Sequence, residues 1–217
     1  MKKLLLVAAL SVATTSVFAQ SKNFEGPSAA LTVSTVGSNT NYKTSDADGS
    51  FGLDSGKTTL VSGVDLSYAT AIDSNWLIGF GITYDLNKTK SGTFTFDDTP
   101  SGGDSGSLSL TTKNHYSLYV QPTYAINNST ALFAKLGYHK TKGVIEGVSN
   151  GDAGSVSSNF NGIGYGVGVK TFINKNLFVQ AEAQLVDYKK KSFTEDGVTD
   201  TYKIKSTAGI VSIGYKF

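Results

Sequence analysis

The chain has 217 residues, with 19 basic against 17 acidic side chains, 24 glycines, three prolines and no cysteine. Every basic residue is lysine, which excludes bidentate guanidinium clamps for phosphate or carboxylate, and the missing cysteines exclude a disulfide framework. Lys2 and Lys3 account for the whole charge excess, so residues 20–217 are formally neutral and carry no electrostatic basis for nucleic-acid binding.

The first element is a targeting segment. Lys2 and Lys3 open it, Leu4 to Val17 is an apolar run, and Val17-Phe18-Ala19 supplies the small residues that a signal peptidase reads. The run is shorter than the roughly 20 apolar residues a spanning helix needs. Cleavage is predicted after Ala19, which leaves residues 20–217 as one domain.

Eight segments of period two follow. Leu31 and Val33 share a parity in the first; Leu60, Val64, Leu66 and Tyr68 in the second; Trp76, Ile78, Phe80, Ile82, Tyr84 and Leu86 in the third. The fourth sets Tyr116, Leu118, Val120, Pro122 and Tyr124 against His115, Ser117, Tyr119, Gln121 and Thr123. The fifth sets Leu132, Ala134, Leu136 and Tyr138 against Phe133, Lys135, Gly137 and His139. In the sixth, Ile163, Tyr165, Val167 and Val169 oppose Gly162, Gly164, Gly166, Gly168 and Lys170. Leu177, Val179, Ala181, Ala183 and Leu185 form the seventh, and Val211, Ile213, Tyr215 and Phe217 the last. Period two repeated eight times predicts strands. The alternating glycines of 162–168 fit such a strand and lack the G-x-x-G step of a nucleotide-binding loop.

Connections alternate between tight and long. Residues 72–75, 126–129 and 173–176 are short turns rich in Asn, Asp and Ser. Long loops are expected over 39–57, 87–113, 140–159 and 189–202. One face of each strand is small or polar and the other bulky, as in a narrow barrel with lipid outside and little room inside. The fold predicted is all-β: an eight-stranded antiparallel up-and-down transmembrane barrel with short periplasmic turns and long extracellular loops. Trp76, Tyr84, Tyr116, Tyr124 and Tyr138 would form interfacial girdles.

The eight alternating strands, the short-turn and long-loop rhythm and the ending Gly214-Tyr215-Lys216-Phe217 resemble the small bacterial outer-membrane barrels, among them the OmpX and opacity-type proteins and the membrane domain of OmpA. The resemblance covers residues 20–217. It implies an integral outer-membrane location in a Gram-negative cell, contact with outer-membrane lipid and lipopolysaccharide, and recognition of Tyr215 and Phe217 by the barrel-assembly machinery.

Parity sends Asp65, Asp85, Gln121, Lys135, Lys170, Glu182 and Lys216 into the lumen, where buried charges must pair, so a polar plug is expected there. His115 and His139 are equidistant from Asn127 and are expected directly opposite one another at the outer mouth; two imidazoles alone make a weak metal site, and none is assigned. His115-Tyr116-Ser117 has the His-x-Ser spacing of lipid A deacylases, yet no carboxylate at a matching position completes a triad. Asp46, Asp48 and Asp54 lack the glycine and glutamate of a calcium loop. Thr93-Phe94-Thr95-Phe96 and Ser107-Leu108-Ser109-Leu110 are expected to form a protruding ribbon with open edges, and Lys189 to Lys191 to meet lipopolysaccharide phosphates. The reading is a structural and surface-interaction barrel, without catalytic residues or cofactor, that meets host or surface ligands through its loops. A narrow porin-like channel is the alternative, and a lipid A-modifying enzyme ranks third.

Overall fold

The computed structural model describes residues 20–45, 49–97, 105–149, 152–195 and 197–217. The targeting segment and the acidic residues Asp46 and Asp48 lie outside them. The chain forms β1 (Gly26–Ser45), β2 (Ser50–Ala71), β3 (Trp76–Asp85), β4 (Thr89–Asp97), β5 (Ser105–Ala125), β6 (Thr130–Ser149), β7 (Asp152–Phe172), β8 (Leu177–Tyr188), β9 (Lys191–Glu195) and β10 (Val198–Lys216). Eight of these make an antiparallel ring in the order β1-β2-β3-β5-β6-β7-β8-β10. The β1–β10 ladder, from Ser28↔Lys216 to Ser45↔Thr199, closes it and leaves no edge at that level.

The three short turns fall where the sequence places them. Asn127 Oδ1 accepts the amides of Ser129 and Thr130 at 2.9 and 2.8 Å, and Asn174 Oδ1 those of Asn176 and Leu177 at 3.0 and 2.8 Å. These side chains replace the ladder partner that each turn lacks. On the lower half of the ring the bulky parity faces out: Leu31, Phe80, Leu118, Leu136, Val167, Leu185 and Ile213 are all exposed. About ten residues of a tilted strand cross a bilayer, which matches this apolar belt. Trp76 and Tyr124 pack edge to face at 5.0 Å near its lower rim.

Among the described residues, the four long connections are largely strand. Five ring strands run for 20 residues or more, twice what a bilayer requires, and their outer halves stay paired. Ser, Thr, Val and Tyr keep these segments extended, while their outward parity turns polar, so the hydrophobic signal stops before the strand does. The expected ribbon is present as β4 against β5, with Phe94↔Leu108 in register. Its far edge is not open, however, because β5 also pairs with β6 as far as Gly106↔Ser149.

Outside the belt the ring splits. The β2–β3 ladder stops at Gly63↔Asp85 and the β7–β8 ladder at Gly162↔Tyr188; beyond them β4 pairs only with β5, and β9 only with β10. Two facing sheets result, β4-β5-β6-β7 and β9-β10-β1-β2. Leu110, Phe160, Val186, Tyr188, Tyr202 and Ile204 are buried between them, with Tyr42 and Ile145 packed alongside. Across the β2/β4 seam side chains replace the ladder: Ser55 with Thr93, Thr59 with Lys90 and Ser62 with Asn87. Among the described residues, two buried side-chain oxygens have no partner, Ser91 Oγ and Asn161 Oδ1. Ser91 lies at the bulge of β4, and Asn161 is the first residue of β7 beyond its pairing with β8.

Candidate functional site: the lumen

The lumen is filled in tiers, beginning at the periplasmic mouth. There residues Ser21–Phe24 make one 3-10 turn that lies across the opening. Phe24 is buried against Leu77, Ala125 and Ala131, and its ring meets Phe172 edge to face at 5.2 Å. Polar contacts seat the turn: the Ser21 amide donates to Ser74 O, Asn23 Nδ2 to Asn128 O, and Lys216 Nζ to Asn23 O at 2.7 Å. Nothing in the period-two pattern signals this cap, since Phe24 precedes the first strand.

Above it stands the predicted polar set. Lys135 Nζ donates to Glu182 Oε2 at 2.6 Å, with both side chains almost wholly buried. The pair crosses β7 at Gly166, where a Cβ would sit 2.6 Å from Glu182 Oε1. Gln184 donates to the same carboxylate at 3.2 Å, and Lys135 Nζ lies 4.3 Å from the centre of the Tyr119 ring. Tyr119 in turn passes over Gly81 and donates to both oxygens of Asp65 at 2.8–2.9 Å. Lys170 Nζ sits 4.5 Å from the Phe178 ring, and Gln121 bonds with Thr123 at 3.4 Å. The glycine ladder of β7 is thus a trough. Beside Gly168, Gly166 and Gly164 lie Phe133, Glu182 and His139, where their missing Cβ atoms would be.

The histidines meet, but not as expected. The β5–β6 hairpin is centred on Asn128, which sets Ser117 opposite His139, and a bulge between Lys113 and Tyr116 displaces His115. Asn114 takes φ 53° in that bulge, which turns the inward parity from Leu110 and Thr112 to His115 and Ser117. His115 Nε2 and His139 Nδ1 are 3.0 Å apart on the diagonal. Asp85, the carboxylate that sequence parity did not connect to them, lies 2.8 Å from His115 Nδ1. Ser117 bonds instead with Thr83, at 2.6 Å. Among the described residues no group of three or more ligating side chains is placed to hold a metal ion.

A cavity of about 70 Å³, room for a few waters, remains beside these tiers on the β1/β10 side. Ser34, Ser38, Asp65, Asp85, His115 and Glu182 contribute to its wall. Small inward residues on β1 and β10 leave this space, whereas long ones on β5, β6 and β8 fill the other side. The apolar core roofs the whole. In that core the Tyr42 hydroxyl donates to Asp200 Oδ1 at 2.9 Å. Burial, and then the Asp200 charge, push the Tyr202 hydroxyl up to about 12, and Tyr42 is raised by burial as well.

A closed antiparallel ring, apolar outside and polar within, with aromatic rims and strands long enough to cross a bilayer, defines a transmembrane β-barrel. The family description "Outer membrane protein beta-barrel domain" matches residues 5–217, and the chain belongs to that family and to the outer membrane. No curated protein matches it. Among solved structures it is similar to OprG of Pseudomonas aeruginosa, at 12% identity over 88% of this chain and 98% of that one, with a TM-score of 0.51. The outer membrane protease OmpT of Escherichia coli gives 12% identity, 88% and 97% coverage and a TM-score of 0.50. Ail, the attachment invasion locus protein of Yersinia pestis, gives 18% identity, 89% and 99% coverage and a TM-score of 0.44.

Proposed function

We propose that this barrel is a surface-interaction protein that presents paired hairpins outside the cell, with its lumen plugged rather than conducting. The observation that carries the reading is the division of the molecule: the outer halves of the strands build a sandwich with its own apolar core, and tiers of side chains fill the lumen beneath it. Ligands on a neighbouring cell or host surface would meet the outward faces of the four hairpins beyond the belt, where functional contacts in such scaffolds concentrate. Lys203 and Lys205, each 3.9 Å from Asp187, stand with Lys189 to Lys191 just beyond the apolar belt. That position supports contact with lipopolysaccharide phosphates. Tyr215 and Phe217, exposed and packed edge to face at 5.2 Å on the closing strand, support a role as the assembly signal.

Two measurements test this. In planar bilayers the protein should give no defined steps, and the double variant Lys135→Ala/Glu182→Ala should begin to conduct; steps in the unaltered protein that vanish on neutralising the pair would replace the plug with a narrow channel. Cells displaying the protein should bind host surfaces, and shortening the β4–β5 hairpin should abolish that binding. The lipid A-modifying reading is favoured by no contact, since Ser117 pairs with Thr83 and not with His115. An altered acyl pattern in lipid A from expressing cells would revive it.

A further inference from the structure

The row Asp85–His115–His139 plays no part in the charge pairing of the plug. Its geometry is specific. The two rings are 14° from parallel with centroids 5.2 Å apart and facing nitrogens 3.0 Å apart. That centroid separation is the nitrogen–nitrogen distance plus one ring radius on each side, so the rings lie end to end and the hydrogen bond between them is close to linear. Such a bond holds one proton: one nitrogen donates and the other must present a lone pair.

Only the His115 end has room to move. His139 is 1% exposed and lies in a niche over Gly137 and Gly164, where a Cβ on Gly164 would overlap its ring. His115 is tied through Nδ1 to Asp85. The row also occupies the level at which the ring gives way to the sandwich. Asp85 is the last residue of β3, and His115 follows the Asn114 bulge, so the three side chains clamp both roots of the β4–β5 hairpin.

We propose that Asp85, His115 and His139 form a proton-operated latch that holds the root of the β4–β5 hairpin against the barrel while one proton is shared. The latch loosens β4 there when both imidazoles are charged, with β5 staying paired to β6. A second proton, taken from cavity water, places N–H groups on both facing nitrogens. The contact turns repulsive, and His115, which lines the cavity, swings into it while keeping Asp85 as partner. The charged and titratable groups around the pair are Asp65 on β2, Asp85 on β3, Tyr119 on β5, Lys135 on β6, Lys170 on β7, and Glu182 and Tyr188 on β8; β1 and β10 add only serines and small or apolar residues. Lys135 and Glu182 neutralise one another and Asp65 is held by Tyr119. The proton count on the imidazoles therefore adds to the charges of Asp65, Asp85 and Lys170 around them.

The chain has two histidines and no cysteine, which makes two clean measurements possible. Histidine-selective ¹⁵N spectra of the protein in nanodiscs should show coupling across the nitrogen pair near neutral pH, and its loss only as the pH falls toward about 3, because burial and then the His115 charge hold His139 down at about 3. Spin labels on Thr95→Cys and Lys43→Cys should report a distance distribution that widens about twofold over the same range. With His139→Gln added, that distribution should not respond to pH. Coupling that persists in acid, an unmoved β4, or the same widening in the His139→Gln protein would each overturn the latch. If that variant does not fold, the spectra and distances of the unaltered protein decide the matter.

Discussion

The two halves of this barrel are built inside out with respect to each other, and β10 shows it without a break in parity. In the membrane half Val211, Ile213 and Tyr215 face outward while Ala208, Ser212 and Gly214 face the lumen; in the outer half Lys203 and Lys205 face outward while Tyr202 and Ile204 face in. The solvent dictates the exchange. Lipid rewards apolar groups on the outside, and a narrow interior then takes small or paired polar ones. Water rewards the reverse, so the same strand must carry its core on the other face once it leaves the bilayer. The lower half is held by a closed ladder and paired charges, the upper by hydrophobic packing between two sheets.

Removing one partner of the central ion pair should give the largest loss. Lys135→Met leaves Glu182 buried and unpaired, which costs about 3–5 kcal/mol. The unfolding midpoint, read from heated and unheated samples on a denaturing gel, should fall accordingly. The double variant Lys135→Met/Glu182→Met should recover most of the loss, and failure to recover would mean that the charges do more than neutralise each other. Phe160→Ala tests the other half, at about 3 kcal/mol or more for a buried aromatic ring. Its damage should stay above the belt: amides of the outer hairpins lose exchange protection while those of residues 162–172 keep theirs. Equal loss along whole strands would join the two halves into one cooperative unit.

Glycines give a smaller and sharper contrast. Gly164→Ala would push a methyl group into the His139 ring, whereas Gly154→Ala, in the outer half of the same strand, meets nothing within 4 Å. The first should destabilise by roughly 1–3 kcal/mol, as overpacking does, and the second should be neutral within about 0.5 kcal/mol, as at other unobstructed surface positions.

This division also marks how far the sequence could be read. Eight strands, three turns and the inward set Asp65, Gln121, Lys135 and Glu182 are legible because lipid and lumen impose opposite demands on alternate residues. Beyond the belt the bulky parity changes sides, at Ser206 in β10, so Tyr202 and Ile204 look like a different segment and the strand reads as a loop. In β5 the parity itself slips at Asn114, which no residue count from Asn127 anticipates; the histidines meet on a diagonal for that reason. Asp85 joins them only through β3–β5 pairing, and Phe24 caps the lumen only once the barrel is closed. Both are tertiary facts with no local pattern.

The smallest expected effect is an alkaline one, confined to the outer half. Tyr202 is held neutral to about 12 by burial and the neighbouring Asp200 charge, while in an unfolded chain a tyrosine ionises near pH 10. A group whose folded value is raised binds its proton longer in the native state. Its contribution is complete below about pH 10 and is lost as pH climbs through about 12. Tyr202→Phe keeps the ring in its place against Tyr42, 5.0 Å between centroids, and removes the ionisable hydroxyl. Between those limits the variant's outer hairpins should keep exchange protection that the parent loses, and the tyrosinate absorbance should lose one late step. Parallel decline in both proteins would shift the alkaline weakness to Tyr42, whose bond to Asp200 would then be the contact that holds this end of the sandwich.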